Sequence, residues 1–245
     1  MEGSNRARGA SSRAERDIPN FLYIYLKRSP MKLIRITAFI LLVQTIAWVI
    51  LMALSTAQIE RDWEPADYIQ WASSGGVTYV LNYINVTLLT VLAVLFFSFF
   101  YSFLKEDSRS WALAGLVLVP VYGTLNIVVY SMQITLVPHL AATADADPGR
   151  IAWISQLIQA NPSSLAAQIN GMAYAILGIP SAIYGLLLAR KSYRISGWLL
   201  LSSGILSMVG MIGTISGSSI LSAGLVAGGI AFLLFLAAAV VQFRQ

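Results

Sequence analysis

The chain has 245 residues, of which 57% are apolar and only 11% are charged, and its mean hydropathy is +0.71. Soluble domains carry about 25% charged residues, so this is the composition of an integral membrane protein, in which spans rather than domains are counted. The absence of cysteine excludes disulfides, thiolate metal sites, cysteine nucleophiles and palmitoylation, and the net charge of +5 flanks apolar runs, where it signals orientation and contact with anionic lipid rather than a nucleic-acid groove.

Residues 1–17 are polar and small, include Arg6, Arg8, Arg13 and Arg16, and have almost nothing to bury. They read as a disordered, solvated cytoplasmic tail in preference to a partner-binding one. Residues 18–31 are aromatic, then basic, then interrupted by Pro30. They are too short to span, which suits an interfacial helix on the inner leaflet with Phe21, Leu22, Tyr25 and Leu26 inserted. The first span is 33–56, with Lys32 and Arg35 at its mouth. Ser55-Thr56-Ala57 loosely fits a signal cleavage site, but the apolar run exceeds ~20 residues and about thirty residues precede it, so the span is read as retained.

Residues 57–76 form an acidic loop with Glu60, Asp62, Glu64, Asp67 and one Arg61; Trp63, Tyr68 and Trp71 fit an interfacial aromatic belt. The second span, 77–104, ends in a strongly aromatic run, and the third, 110–137, follows after the short turn Lys105–Arg109. A turn that short makes the two spans antiparallel neighbours. Residues 139–163 are the longest loop, with His139, Asp145 and Asp147, and 150–159 reads as a short amphipathic helix within it. Asp145 and Asp147 form a solvated turn rather than a cation site, and no metal or cofactor is expected.

The fourth span, 164–189, is uncharged and divides into three faces at 100° per residue. Asn170, Tyr174, Leu177, Ser181 and Tyr184 form a polar and aromatic face. Gly171, Gly178 and Gly185 sit in a stripe of small residues, and Met172, Ile176, Ile179, Ile183 and Leu187 form a face fit for lipid. Residues 195–243 carry no charge and read as two further spans, 196–215 and 219–243, joined near Ser216-Gly217-Ser218. Gly213 with Gly217, and Gly224 with Gly228, have helix-packing spacing. They suit packing within the hairpin first, and a homo-oligomer through the last two spans second.

The expected architecture is therefore an all-α bundle of six transmembrane helices. Lys and Arg fall 14 to 2 on alternate segments, which puts both termini in the cytoplasm by the positive-inside rule. Beyond Arg35 at the mouth of the first span, no Asp, Glu, Lys, Arg or His lies inside a span. Proton relays, ion coupling and voltage sensing depend on such groups, and haem needs an axial ligand that one His at a span end does not supply. An enzyme is disfavoured for the same reason.

What remains is neutral and polar. Tyr122, Asn126, Tyr130 and Gln133 lie close to one line on the third span. Thr78, Asn82, Asn85 and Leu89 lie along the second, and Thr37, Gln44, Trp48 and Ser55 along the first. Asn82, Asn85, Tyr130, Gln133, Asn170 and Tyr174 fall in the outer half, with Gln44 and Asn126 near mid-depth. These side chains read either as interhelical hydrogen-bond glue or as an outward-facing pocket for an uncharged or amphipathic small molecule or lipid. The corresponding functions are a non-enzymatic carrier or binding protein of the plasma membrane and, as the alternative, a structural, sensory or accessory subunit of a membrane complex. The partners expected are the bilayer and anionic inner-leaflet lipids, with no nucleic acid.

From Gly178 to Gly210 the sequence runs GIPSAIYGLLLARKSYRISGWLLLSSGILSMVG. A span ending in basic residues, a Tyr, a short basic turn, then Gly-Trp-Leu and a later Gly is similar to a family of bacterial six-helix membrane proteins of unknown function. That resemblance covers about a seventh of the chain. It implies a helical bundle in a bacterial membrane and no site residues.

Overall fold

The computed structural model describes residues 20–57, 59, 63–144 and 147–244, with side chains from Pro30 onward. The tail 1–17, the side chains proposed to insert from 21–26, and Glu60, Arg61, Asp62 and Asp145 lie outside the described residues. Among those described, all regular structure is helical: α1 (Asn20–Thr56), α2 (Pro65–Ser73), α3 (Val77–Ile134), α4 (Leu136–Ala142), α5 (Pro148–Ser155), α6 (Leu165–Ala189), α7 (Arg194–Ser216) and α8 (Ser219–Gln242). Five helices are long and apolar enough to cross a membrane: Pro30–Thr56, Val77–Ala142, Leu165–Ala189, Arg194–Ser216 and Ser219–Gln242.

Local chemistry sets the ends of these helices. The Ser164 hydroxyl accepts from the Ala167 amide at 3.0 Å and opens α6, and Ser218 does the same for Leu221 at 3.4 Å to open α8. Between α7 and α8 the chain turns through Gly217 at φ +71°, a left-handed conformation with no penalty for a residue lacking Cβ. Pro30 does not end a helix as the sequence suggested. It lies inside α1, which runs unbroken from Asn20 to Thr56. In α1 a single proline removes one hydrogen bond without stopping the helix.

α3 bends back on itself. Ser108 has non-helical angles (φ −155°, ψ 79°) inside the polar run Lys105–Arg109, and the limbs on either side return against each other. The Tyr79 hydroxyl donates to the Gln133 carbonyl at 3.0 Å across the two limbs, and the face of Gly123 meets Val94. The long helices then close a ring: α1 packs on α3 and α8, α3 on α6, α6 on α7, and α7 on α8.

The ring has two unlike ends. At the basic end lie the Ser108 bend, the α6–α7 loop and the end of α8. Phe96, Phe97, Phe100, Tyr184, Leu200, Phe235, Leu236 and Phe243 fill the core toward this end. The Tyr184 hydroxyl is tied to the Ala112 carbonyl at 2.9 Å, so the basic-end half of the α6 polar face serves a dry aromatic core rather than a pocket. Lys191 forms an ion pair with Asp107 and lies 4.5 Å above the Phe103 ring, while Tyr193 stacks on Phe243 at 4.3 Å. Burial pushes the Tyr193 pKa above its ordinary value; the protonated phenol donates to Met31 Sδ at 3.5 Å.

At the other end, α2, α4 and α5 form a cap. The segment expected to be an open loop contains α2. Tyr68 and Trp71, expected in an interfacial belt, are buried there with Ile69, Tyr79, Tyr83, Val137, Ile154 and Ile158, and Trp63 packs edge-on against Tyr68. Trp71 Nε1 donates to the Ser55 carbonyl at 2.9 Å, which fixes the cap to the end of α1. A buried indole needs a partner for its N–H, and the free carbonyl near a helix end supplies one. The short helix expected at 150–159 occupies Pro148–Ser155, with Asp147 capping it through the Gly149 amide at 3.0 Å. Among the described residues no cluster of His, Asp or Glu could hold a metal ion.

The small-residue stripes are used within this ring. A methyl group on Gly178 would sit 2.6 Å from the Gly204 carbonyl oxygen. One on Gly185 would overlap the backbone of Leu201, and one on Gly171 would press on Met211 Sδ. Gly213, Gly224 and Gly228 meet Ser222, Leu206 and Ser207 across the α7–α8 contact, whereas Gly217 packs against nothing and serves the turn. The glycines that would suit a homo-oligomer through the last two spans are thus already covered by their own neighbours.

Candidate functional site

The sequence placed a polar group on each of several helices; the fold decides which of them meet. The limbs of α3 pair Tyr79 with Gln133 and Tyr83 with Tyr130. In that register Asn82 stands level with the residue after Tyr130, and Asn126 lies about one helical turn deeper. α6 descends beside them and brings in Asn170 and Tyr174.

Asn170 is the hub of the cluster. Its Nδ2 donates to the Tyr130 hydroxyl at 2.6 Å and to Asn126 Oδ1 at 3.2 Å, and the Tyr130 and Tyr174 hydroxyls are 3.1 Å apart. The Tyr122 ring lies 5.7 Å from that of Tyr174, and its hydroxyl neighbours Thr90, Asn126 and Tyr174. Asn126 is fully buried, Asn82 and Tyr130 nearly so, and Tyr174 is half-buried. Among the described residues no Asp, Glu, Lys, Arg or His joins the cluster, and Tyr130 is held by Asn170 and Tyr174.

Two of the expected site residues are committed elsewhere. Gln133 donates to the Val129 and Leu157 carbonyls at 3.2 and 2.9 Å and accepts from the Gln159 amide at 3.1 Å. All of its strong bonds are to backbone, so it fastens the cap to α3. Asn85 is half-buried, and its Nδ2 donates to the Gln44 carbonyl at 3.1 Å, holding α1 against α3.

Among the described residues three buried side-chain atoms have no hydrogen-bond partner: Gln44 Oε1, Asn82 Oδ1 and Asn126 Nδ2. The Tyr122 hydroxyl neighbours Asn126 without forming a well-aligned bond to its amide nitrogen. A buried polar atom left unpaired costs about 1–3 kcal/mol, and these three stand on α1 and on the two limbs of α3, which pack against each other. Two are acceptors and one is a donor. The set complements a neutral group that offers hydrogen and lone pair together, such as a hydroxyl or an amide. An ion would gain no counter-charge here and would lose its hydration.

The sequence reading missed the capped side of this cluster. Tyr79 and Tyr83 are buried and stack edge-on at 4.9 Å, and the Tyr83 hydroxyl donates to Gln159 Oε1 at 2.9 Å. Thr78, which the stripe included, is exposed. The signal was present at three- and four-residue spacing in Tyr79, Tyr83, Val86 and Thr90, which border the Asn82–Asn85 face. The approach from this end is not open, because the α2–α4–α5 cap lies over it. Comparisons with family models, with curated proteins and with solved structures find no match to this chain.

Proposed function

We propose that the chain crosses the membrane six times, counting the two limbs of α3 separately, with both termini and the basic end in the cytoplasm. The 14 to 2 division of Lys and Arg supports that orientation. The cap then faces outward, and the plasma membrane of a cell is its location.

We further propose that the protein is a non-enzymatic carrier or binding protein for an uncharged or amphipathic small molecule or lipid, held by Asn82, Tyr122, Asn126, Tyr130, Asn170 and Tyr174 beneath the cap. The observation that carries this reading is that Asn82 Oδ1 and Asn126 Nδ2, on the two limbs of α3, and Gln44 Oε1 on α1 are buried and unpaired. Glue between helices needs its polar atoms satisfied, as Asn170 and Gln133 are; a recognition site keeps some in reserve. The aromatic core toward the basic end favours access from the capped side, which requires the α2–α4–α5 cap to open.

Native mass spectrometry of the protein extracted in mild detergent tests the reading. The wild type is expected to retain a neutral adduct that Asn82→Leu loses. If Asn82→Leu instead gains stability and no adduct is seen in either form, the unpaired amide is only a packing cost, and a structural or accessory subunit is the better reading.

A further inference from the structure

At the basic end, away from the amide–tyrosine cluster, the surface holds an open basin of about 610 Å³ lined by Arg190, Lys191, Ser192, Arg194, Ile195 and Gln242. Three of these six residues are cations. Lys191 is committed to Asp107 and to the face of Phe103. Arg190 and Arg194 are exposed, and among the described residues neither has an acidic partner. Gln242 Oε1 accepts from the Ser196 hydroxyl at 2.7 Å, which orients the side chain and leaves its amide nitrogen free to donate. The basin is therefore rich in donors and positive charge and poor in acceptors.

The apolar residue of the lining is Ile195, 62% exposed, and beyond the basin Trp198, one turn further along α7, is 58% exposed. α7 begins at Arg194, and on the membrane placement proposed above these two side chains stand where a membrane helix leaves the headgroup layer, a depth that favours an indole. Guanidinium forks bind phosphate oxygens in pairs, and the adjoining Ile and Trp continue from the headgroup level into the acyl region.

We propose that this basin is a binding site for a phosphate ester presented at the membrane surface, namely the headgroup of an anionic phospholipid. Arg190 and Arg194 hold the phosphate, Ser192 and Gln242 donate to headgroup oxygens, and Ile195 and Trp198 lie along the first part of the chain. The bend of α3 is coupled to the site through Lys191 and Asp107. Occupation of the basin thus braces the contact between the α3 bend and the α6–α7 loop.

The test is a titration of the full chain in neutral detergent with phosphatidylglycerol, read by native mass spectrometry. The variants are Arg190→Gln with Arg194→Gln and, as a charge-matched control on the neighbouring bend, Lys105→Gln with Arg109→Gln. The arginine pair is expected to weaken lipid binding by about tenfold or more while the control pair changes it little. Inorganic phosphate and phosphatidylcholine serve as separate arms. Displacement of bound lipid by millimolar phosphate would identify a soluble phosphate compound as the occupant and overturn the lipid assignment. Equal losses in the two variant pairs would reduce the effect to diffuse charge and overturn the site. A thermal melt of each variant without lipid checks that the fold survives, and Arg→Lys at both positions repeats the measurement with charge retained and the fork removed.

Discussion

Replacing Gly178 by Ala should separate α6 from α7. A Cβ at this position would lie 2.6 Å from the Gly204 carbonyl oxygen and 3.0 Å from Met208 Cγ. Ordinary contacts between such atoms lie near 3.3–3.8 Å, so the helices must part by roughly 0.5–1 Å. Overpacking of this kind costs about 1–3 kcal/mol. Against it stands the gain in helix propensity from Gly to Ala, about 1 kcal/mol, which leaves a net loss of about 0–2 kcal/mol. Gly229 on α8 supplies the control, because a Cβ there meets nothing within 4 Å. Gly229→Ala should gain about 0.5–1 kcal/mol from propensity alone. The assay is unfolding in mixed micelles with rising denaturing detergent, followed by circular dichroism. Opposite signs are expected. Shifts of the same sign and size at both positions would refute the close approach of α6 and α7.

Other predictions follow from single contacts. Tyr184→Phe removes the bond to the Ala112 carbonyl while keeping the ring against Phe97, and should cost about 1 kcal/mol in the same unfolding assay. Gln133→Leu cuts the cap from α3 by removing its bonds to Leu157 and Gln159. Amide exchange in α5 and in residues 157–163 should rise by tenfold or more, with α7 and α8 unchanged. Asn170→Leu breaks two bonds and strands Asn126 Oδ1; at about 0.5–1.5 kcal/mol per membrane hydrogen bond it should cost roughly 1–3 kcal/mol, and a neutral change would remove Asn170 from the centre of the cluster.

Much of the fold was legible because apolar length and turn chemistry are local signals. The fourth span was expected at 164–189, and α6 runs Leu165–Ala189 with Ser164 as its cap. The final hairpin was expected to turn at Ser216-Gly217-Ser218, and Gly217 makes that turn. The cap was not legible. Tyr68 and Trp71 carry the same composition as an interfacial belt, and only tertiary contact with Ile154, Ile158 and Ser55 distinguishes burial in a cap from exposure to headgroups. The helical stripes correctly grouped Asn126, Tyr130 and Asn170, since angular position on a helix follows from spacing alone. They could not separate Gln133, spent on backbone, from Asn82, whose Oδ1 is unpaired, because that depends on which carbonyls the neighbouring loop brings near.

The central claim is that the amide–tyrosine cluster is a binding site reached from the capped side. The chain contains no cysteine, so single cysteines can replace Asn82, Asn126, Asn170 and Tyr174 one at a time, with Phe97 in the aromatic core as a control. Labelling in intact cells by a membrane-impermeant thiol reagent reads access directly. The account predicts slow labelling at positions 82 and 126, faster when Gln133→Leu loosens the cap, and none at position 97. Full protection of all four cluster positions, in both backgrounds, would contradict it.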